Sequence, residues 1–197
     1  MQRRGIEATL SKVEMPRAAV GIDQAPSEAR VWLLKGGVRP EVAHKVGIRW
    51  HPGIRKVLLP IRNERGEYTG TLARAVDGSK PKYVMLNGKP AFHMPKKLAG
   101  PLVLTEDVLS AMAYARAGIC GVAILGTSMD ALTAASITSG GVNEVMISLD
   151  PDNAGRLAVG KVRKALALSP VTVAVLHPRL DPKYLPVSEL KQLVEQR

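Results

Sequence analysis

Several things are scarce in this chain. It has one cysteine, Cys120, set inside an apolar strand pattern. A single thiol excludes an internal disulfide framework and a cysteine-rich zinc site. Four histidines, His44, His51, His93 and His177, show no ligand spacing, and there is no HExxH, nucleophile elbow or Walker A motif. No apolar run approaches the roughly 18 residues needed to cross a bilayer. The N-terminus, MQRRGIEATL, carries charge but no apolar h-region, so no signal peptide is expected. A cytoplasmic protein with no membrane partner fits these absences. Acidic residues are thin in one half only. Residues 1–100 hold 19 Lys and Arg against 8 Asp and Glu, whereas residues 101–197 hold 9 of each. The whole net charge of +11 therefore lies in the first half. A basic half joined to a neutral half with clustered acids suggests a polyanion-binding surface beside a metal site.

What is present is organised around LDPDNAG, residues Leu149 to Gly155. It follows the apolar run Val145 to Leu149, which reads as a buried strand, and precedes a helical pattern from Arg156 to Leu168. Asp150 and Asp152 thus fall where a strand hands over to a helix. In open α/β sheets ligands bind at such carboxyl ends. Two carboxylates one residue apart repel unless a cation lies between them, and hard oxygen donors suit Mg²⁺ or Mn²⁺. Taken alone, the motif is equally a turn with an Asx cap on the next helix.

The first half is mixed. A short helix is expected near Gly5 to Glu14, then a loop. Ser27 can cap a helix over Glu28 to Lys35 that ends at Gly36-Gly37. Pro40 opens a second helix, Glu41 to Val46, stopped by Gly47. From Ile48 the pattern turns to strands: Lys56 to Ile61, Tyr68 to Ala75 and Lys80 to Leu86, with turns between, a small antiparallel unit. Arg49, Arg55, Lys56, Arg62, Arg74, Lys80 and Lys82 decorate it. Trp50, Tyr68, Tyr83 and Phe92 lie among these cations, where rings can stack on bases or fill the unit's core. The second reading is favoured for Tyr68 and Phe92.

Composition shifts between Pro95 and Pro101, so a boundary is expected at 98/99. Beyond it strands and helices alternate: Pro101 to Thr105, Asp107 to Gly118, Gly121 to Leu125, Ser128 to Thr138, Glu144 to Leu149, Asn153 to Leu168, Val171 to Leu176 and Val187 to Gln196. That alternation implies parallel βαβ units with right-handed crossovers. The fold class is α/β: a parallel sheet flanked by helices, preceded by a smaller basic α+β subdomain. A parallel sheet would bring Glu106, Asp150, Asp152 and Asp181 to one edge. Buried like charges are costly unless compensated, so a shared cation is expected there. Gly126-Thr127-Ser128, at the same edge, could admit a phosphate or simply cap a helix.

LTEDVLSAMAYARAG (Leu104 to Gly118), VAILGTS (Val122 to Ser128) and SLDPDNAG (Ser148 to Gly155) resemble the Toprim domain of bacterial and phage DNA primases. In that fold a glutamate ends the first strand and a DxD pair ends the third, positions held here by Glu106, Asp150 and Asp152. LHPRLDPKYL resembles a later primase segment and would bring Asp181 near the site. Two positions depart from the pattern: Asp107, where glycine is frequent, and Ser110, where aspartate is. KVLLPIRNERGEYTGTLARAVDGSKPKYV (Lys56 to Val84) is similar to the basic half of the primase RNA-polymerase domain. The likeness covers roughly residues 30–190.

The resemblance implies a primase core that makes short RNA primers on single-stranded DNA from ribonucleoside triphosphates. Glu106, Asp150 and Asp152 would be catalytic and would hold Mg²⁺ or Mn²⁺ with Asp181. Arg74 and Lys82 would meet nucleotide phosphates or template, with Lys80, Gly126 and Thr127 beside them. A zinc ribbon and a helicase P-loop are missing from these residues, and a replicative helicase is the expected partner. Two other readings stay open: a Toprim nuclease, and a non-catalytic module that binds single-stranded DNA or a helicase.

Overall fold

Two sheets and six α-helices make up the computed structural model, which describes residues 14–63, 65–88, 100–138 and 141–197. The expected first helix, Phe92, His93 and the expected boundary at 98/99 lie outside the described residues. The first sheet is antiparallel, with strands in chain order: β1 (Val20–Gly21), β2 (Arg49–His51), β3 (Lys56–Arg62), β4 (Tyr68–Ala75) and β5 (Tyr83–Gly88). Two short helices, α1 (Ser27–Lys35) and α2 (Pro40–Val46), lie between its first two strands. Pro40 opens α2, where its missing N–H is not needed, and Gly47 closes it with φ +88°, a left-handed conformation natural to glycine.

Two expectations for this half need correction, and the open reading of Trp50 is decided. β5 begins at Tyr83 rather than Lys80, because Pro81 has no amide hydrogen to give the ladder. Trp50 is 5% exposed and belongs to the core, so it presents no stacking surface. Lys56 folds inward, its Nζ donating to the Pro81 carbonyl at 3.0 Å, and is not available to a polyanion.

The second sheet is parallel. It contains β6 (Leu102–Thr105), β7 (Cys120–Ala123), β8 (Glu144–Ile147) and β9 (Thr172–Val175), in the spatial order β7-β6-β8-β9. β6, β8 and β9 fall inside the expected segments, and β7 begins one residue before its expected start at Gly121. Between them run α3 (Val108–Arg116), α4 (Ala131–Thr138) and α5 (Asn153–Leu166), followed by α6 (Val187–Glu195). α4 starts three residues later than expected. Its first turn is capped by Asp130, which accepts from Thr133 N–H at 2.7 Å, and not by Thr127 or Ser128. Side chains alternate across the strands, as the period of two requires. Leu102, Leu104, Val122, Val145 and Ile147 face the α4 and α5 layer. Val103 and Met146 face α3 and α6, with Leu185, Leu190 and Val194. The chain leaves β6 toward β7, then crosses back past β6 to β8. The strand order therefore reverses between β6 and β8, the place where such sheets bind ligands.

α3 joins the two halves. Its sequence, VLSAMAYAR, is apolar almost all round, the pattern of a helix buried on every side. Val108, Leu109, Ala111 and Met112 pack with Leu33, Val57, Leu59 and Ile61 of the antiparallel unit. Ala113, Tyr114 and Ala117 pack against the parallel sheet and α6. A side chain at Gly121 would meet the Ala111 carbonyl oxygen at 2.2 Å, so β7 comes this close to α3 only with glycine there. Where α3 crosses β8, the Tyr114 hydroxyl and Ser148 Oγ lie 2.7 Å apart, both residues fully buried. Burial pushes the phenol up to about 12 despite that bond.

This bond yields a stability prediction. Tyr114→Phe strands Ser148 Oγ in the core and should cost about 1–3 kcal/mol in urea unfolding. Adding Ser148→Ala should restore much of the loss. Equal destabilisation in the single and double variants would contradict it.

Candidate active site at the carboxyl edge of the parallel sheet

The backbone fixes the edge before any side chain is considered. Hydrogen bonds run past the strand ends: Ile124 N–H to the Thr105 carbonyl, Ser148 N–H to Leu104 and Leu176 N–H to Ile147, each 2.8 Å. They hold the first residues of three loops in register. Thr105, fully buried, directs its hydroxyl to the Asp107 and Val122 carbonyls. Glu106 thus leaves β6, and Asp150 leaves β8, on either side of the reversal point.

Each acid sits in a distinct local setting. Asp107 caps α3, its Oδ1 accepting from Leu109 N–H at 2.8 Å and Ser110 N–H at 3.0 Å. Ser110 Oγ donates to Asp107 Oδ2 at 3.3 Å. The two positions that depart from the primase pattern are therefore bonded to each other. Asp152 caps α5 by accepting from Gly155 N–H at 2.7 Å, so the helix-cap reading of this carboxylate holds for one oxygen. Gly155 is required by packing: a Cβ there would stand 2.0 Å from the Asp150 carbonyl oxygen. The first turn of α5 closes over the Asp150 peptide only because that atom is missing. Arg156 braces the same turn by donating to the Pro151 carbonyl at 2.8 Å.

A lysine stands among the acids. Lys183 Nζ lies 2.8 Å from Asp107 Oδ2, 2.8 Å from Asp181 Oδ2 and 3.9 Å from Asp150 Oδ2. Burial opposes its charge, but Asp107, Asp181 and Asp150 outweigh that and hold the ammonium above the ordinary lysine range. Part of the cation that the clustered acids call for is thus supplied by the chain itself. Sequence reasoning missed Lys183. Its available signal was a lysine two residues after Asp181 in the loop that follows β9.

The lysine does not balance the edge. Burial, then the charge of Asp152 and Asp107, raises the pKa of Glu106. Burial likewise pushes Asp150 up to about 7 against the pull of Lys183, with Asp181, Asp107 and Glu106 adding to the rise. Asp150 Oδ1 is buried with no hydrogen-bond partner. Among the described residues no three carboxylate, imidazole or thiol side chains converge tightly enough to enclose an ion in this conformation. The donor chemistry nonetheless suits a hard divalent cation: an unpartnered buried carboxylate oxygen beside a second carboxylate that burial disfavours as an anion.

Across from the acids stands a basic, aromatic wall. A cleft of about 350 Å³ separates the antiparallel unit from the edge, within the ~300–1,000 Å³ usual for small-molecule sites. Glu106, Asp107, Asp150, Asp181 and Lys183 line one side; Trp32, Arg74, Lys82 and Tyr83 line the other. Arg74 is held between rings, its guanidinium carbon 4.6 Å from the Tyr83 centroid and 5.6 Å from that of Trp32. Its Nε is buried without a hydrogen-bond partner. Leu125, at φ +57°, and Gly126 close the floor. A bulky residue in that left-handed region stores roughly 1–3 kcal/mol of strain, a feature that clusters at functional sites. Of the residues expected to bind nucleotide, Arg74, Lys82 and Gly126 line the cleft. Lys80 and Thr127 are not among its lining residues. Asp152 is not in the lining either but acts electrostatically on Glu106.

Comparison with known proteins agrees with this architecture. Residues 103–183 match the family model described as Toprim-like. A DNA primase of Neisseria meningitidis serogroup A is 33% identical over 116 residues, covering 52% of this chain and 20% of that protein. A DNA primase of Deinococcus radiodurans is 30% identical over 113 residues, covering 51% of this chain and 20% of that protein. This chain thus spans about a fifth of the length of the curated relatives it matches. The zinc-binding and RNA-polymerase domains of the Aquifex aeolicus primase superpose with a TM-score of 0.74 at 21% identity, covering 89% of this chain and 57% of that one. The fold is shared with primase catalytic cores, and residues 103–183, within the parallel half, are similar to the Toprim-like family.

The raised pKa of Asp150 has a definite consequence for stability. The native state retains a proton that the unfolded chain releases near its ordinary value of 3.8. Asp150 therefore lowers stability progressively as pH rises from about 4 to about 7, and by its full amount above that. In chelator-treated protein, Asp150→Asn should melt above wild type at pH 8, with the gap closing toward pH 4. A gap that widened on acidification would reverse the sign and contradict the assignment.

Proposed function

We propose that the chain is the RNA-polymerase core of a DNA primase, joining ribonucleotides into short primers on a single-stranded DNA template. The observation that carries this reading is the cleft itself, in which an acidic edge and a basic, aromatic wall face one another. A nucleoside triphosphate needs both: cations for its phosphates and carboxylates to fix the divalent ion that accompanies it. The primase likeness on both sides of the cleft supports the same reading.

In this reading residues 1–98 form a basic subdomain and residues 99–197 the Toprim domain. Arg74, pinned between Trp32 and Tyr83, offers its buried Nε–H to a phosphate oxygen, and Lys82 adds a second positive charge. Glu106, Asp150 and Asp152 hold Mg²⁺ or Mn²⁺. Such an ion, when bound, neutralises phosphate charge and lowers the pKa of the attacking primer hydroxyl. The chain's own contribution is positioning and electrostatics, because phosphoryl transfer asks for no protein nucleophile. The basic first half follows the template backbone, so binding weakens steeply with salt. A replicative helicase is the proposed partner, and the cytoplasm, the host's if the chain is phage-encoded, is the proposed location. The basic wall opposite the acids disfavours the nuclease, which has no use for a triphosphate subsite.

The test is one gel. The protein is incubated with single-stranded DNA, labelled ribonucleotides and Mg²⁺, with and without a replicative helicase. Short labelled RNA is expected, reduced on the order of 10²–10³-fold in Asp150→Asn, as when other groups stabilising developing charge are removed. Shortened DNA without RNA would replace the proposal with the nuclease. No product even with helicase would leave a binding module.

A further inference from the structure

The acids at this edge are not equivalent, and Lys183 divides them. Its side chain is 12% exposed and its ammonium contacts Asp107 and Asp181 at 2.8 Å, with Asp150 Oδ2 at 3.9 Å. Asp107 has both oxygens in use: Oδ1 on two backbone N–H groups, Oδ2 on Lys183 and Ser110. Asp181 Oδ2 is committed to the same ammonium. Asp150 is shared differently. One oxygen turns toward Lys183; the other is buried without a partner.

We propose that Lys183 is a positioning residue that occupies the place of a divalent ion, so that the edge takes a single metal, bounded by Glu106, Asp150 and Asp152. This rests on the metal-dependent reading above and deepens it. A divalent ion of the magnesium class needs oxygen donors at about 2.0–2.1 Å in near-octahedral order. With the ammonium 2.8 Å from Asp107 Oδ2 and Asp181 Oδ2, a divalent ion drawn to those two oxygens would meet a positive charge already in its place. An ammonium has three donors and no acceptor, and here it faces three carboxylates. Asp181, expected from the sequence to be a metal ligand, is thereby reassigned to orienting Lys183. Asp107 gains a role as well: it ties the start of α3 to the loop after β9, across 76 positions of sequence. Asp150 becomes the hinge between the fixed cation and the exchangeable one.

The test counts ions without any turnover. Mn²⁺ binding to the full chain is followed by electron paramagnetic resonance at pH 8, and only ions lost in Asp150→Asn are counted. One Mn²⁺ per chain is expected for wild type and for Lys183→Arg. Lys183→Asn opens Asp107, Asp181 and Asp150 Oδ2 to a second ion, so the count should double to two. Two ions in wild type, or a folded Lys183→Asn that still binds one, would overturn the inference while leaving the metal-dependent reading intact. No ion in wild type would overturn both. If Lys183→Asn fails to fold, the wild-type and Lys183→Arg counts still decide.

Discussion

Carboxylates gathered on one edge of a parallel sheet repel one another, and the structure depends on how that repulsion is met. Five acids, Glu106, Asp107, Asp150, Asp152 and Asp181, reach the same end of the sheet. Two of them spend an oxygen capping helices, where the dipole and backbone N–H groups favour negative charge. One buried ammonium answers three of them. What is left over, Glu106 and the unpartnered oxygen of Asp150, is destabilised as an anion by burial and by its neighbours. Under the proposed function such unmet charge would be relieved when a divalent ion and a polyanion bind.

The two halves are coupled through the same edge. α3 begins at the Asp107 cap and is buried by the antiparallel unit on one side and the parallel sheet on the other. Displacement of Asp107 would therefore be felt at Leu33 and Leu59 as well as at Asp150. The cleft wall is similarly tied down: Arg74 lies on β4 of the antiparallel sheet, and its neighbour Trp32 on α1, which packs against α3. Both walls of the cleft are thus set by rigid elements, as a preorganised site requires.

Much of the architecture was legible because its signals are local. Strand–helix alternation after residue 100 gave the parallel half, and Pro40 with Gly47 bracketed α2 closely. The gathering of Glu106, Asp150 and Asp181 followed from topology alone, since a parallel sheet sends all its strand ends one way. What could not be read was tertiary. That Trp50 and Lys56 turn inward, or that Lys80 stays out of the cleft, is decided by packing between elements and not by pattern. Lys183 was the largest omission. An ammonium placed among carboxylates looks, in sequence, like any solvated lysine; only the return of the loop after β9 to the start of α3 gives it partners. The mutual bonding of Asp107 and Ser110 is, by contrast, a local helix cap between positions three apart, and each was visible only as a departure.

The most direct measurement is a Mn²⁺ anomalous difference map from crystals grown with a non-hydrolysable ribonucleoside triphosphate. The account predicts one peak between Glu106 and the inner oxygen of Asp150, with the triphosphate reaching from it toward Arg74 and Lys82 and Lys183 still on Asp107. A peak displacing Lys183, or a nucleotide bound away from Arg74, would contradict it.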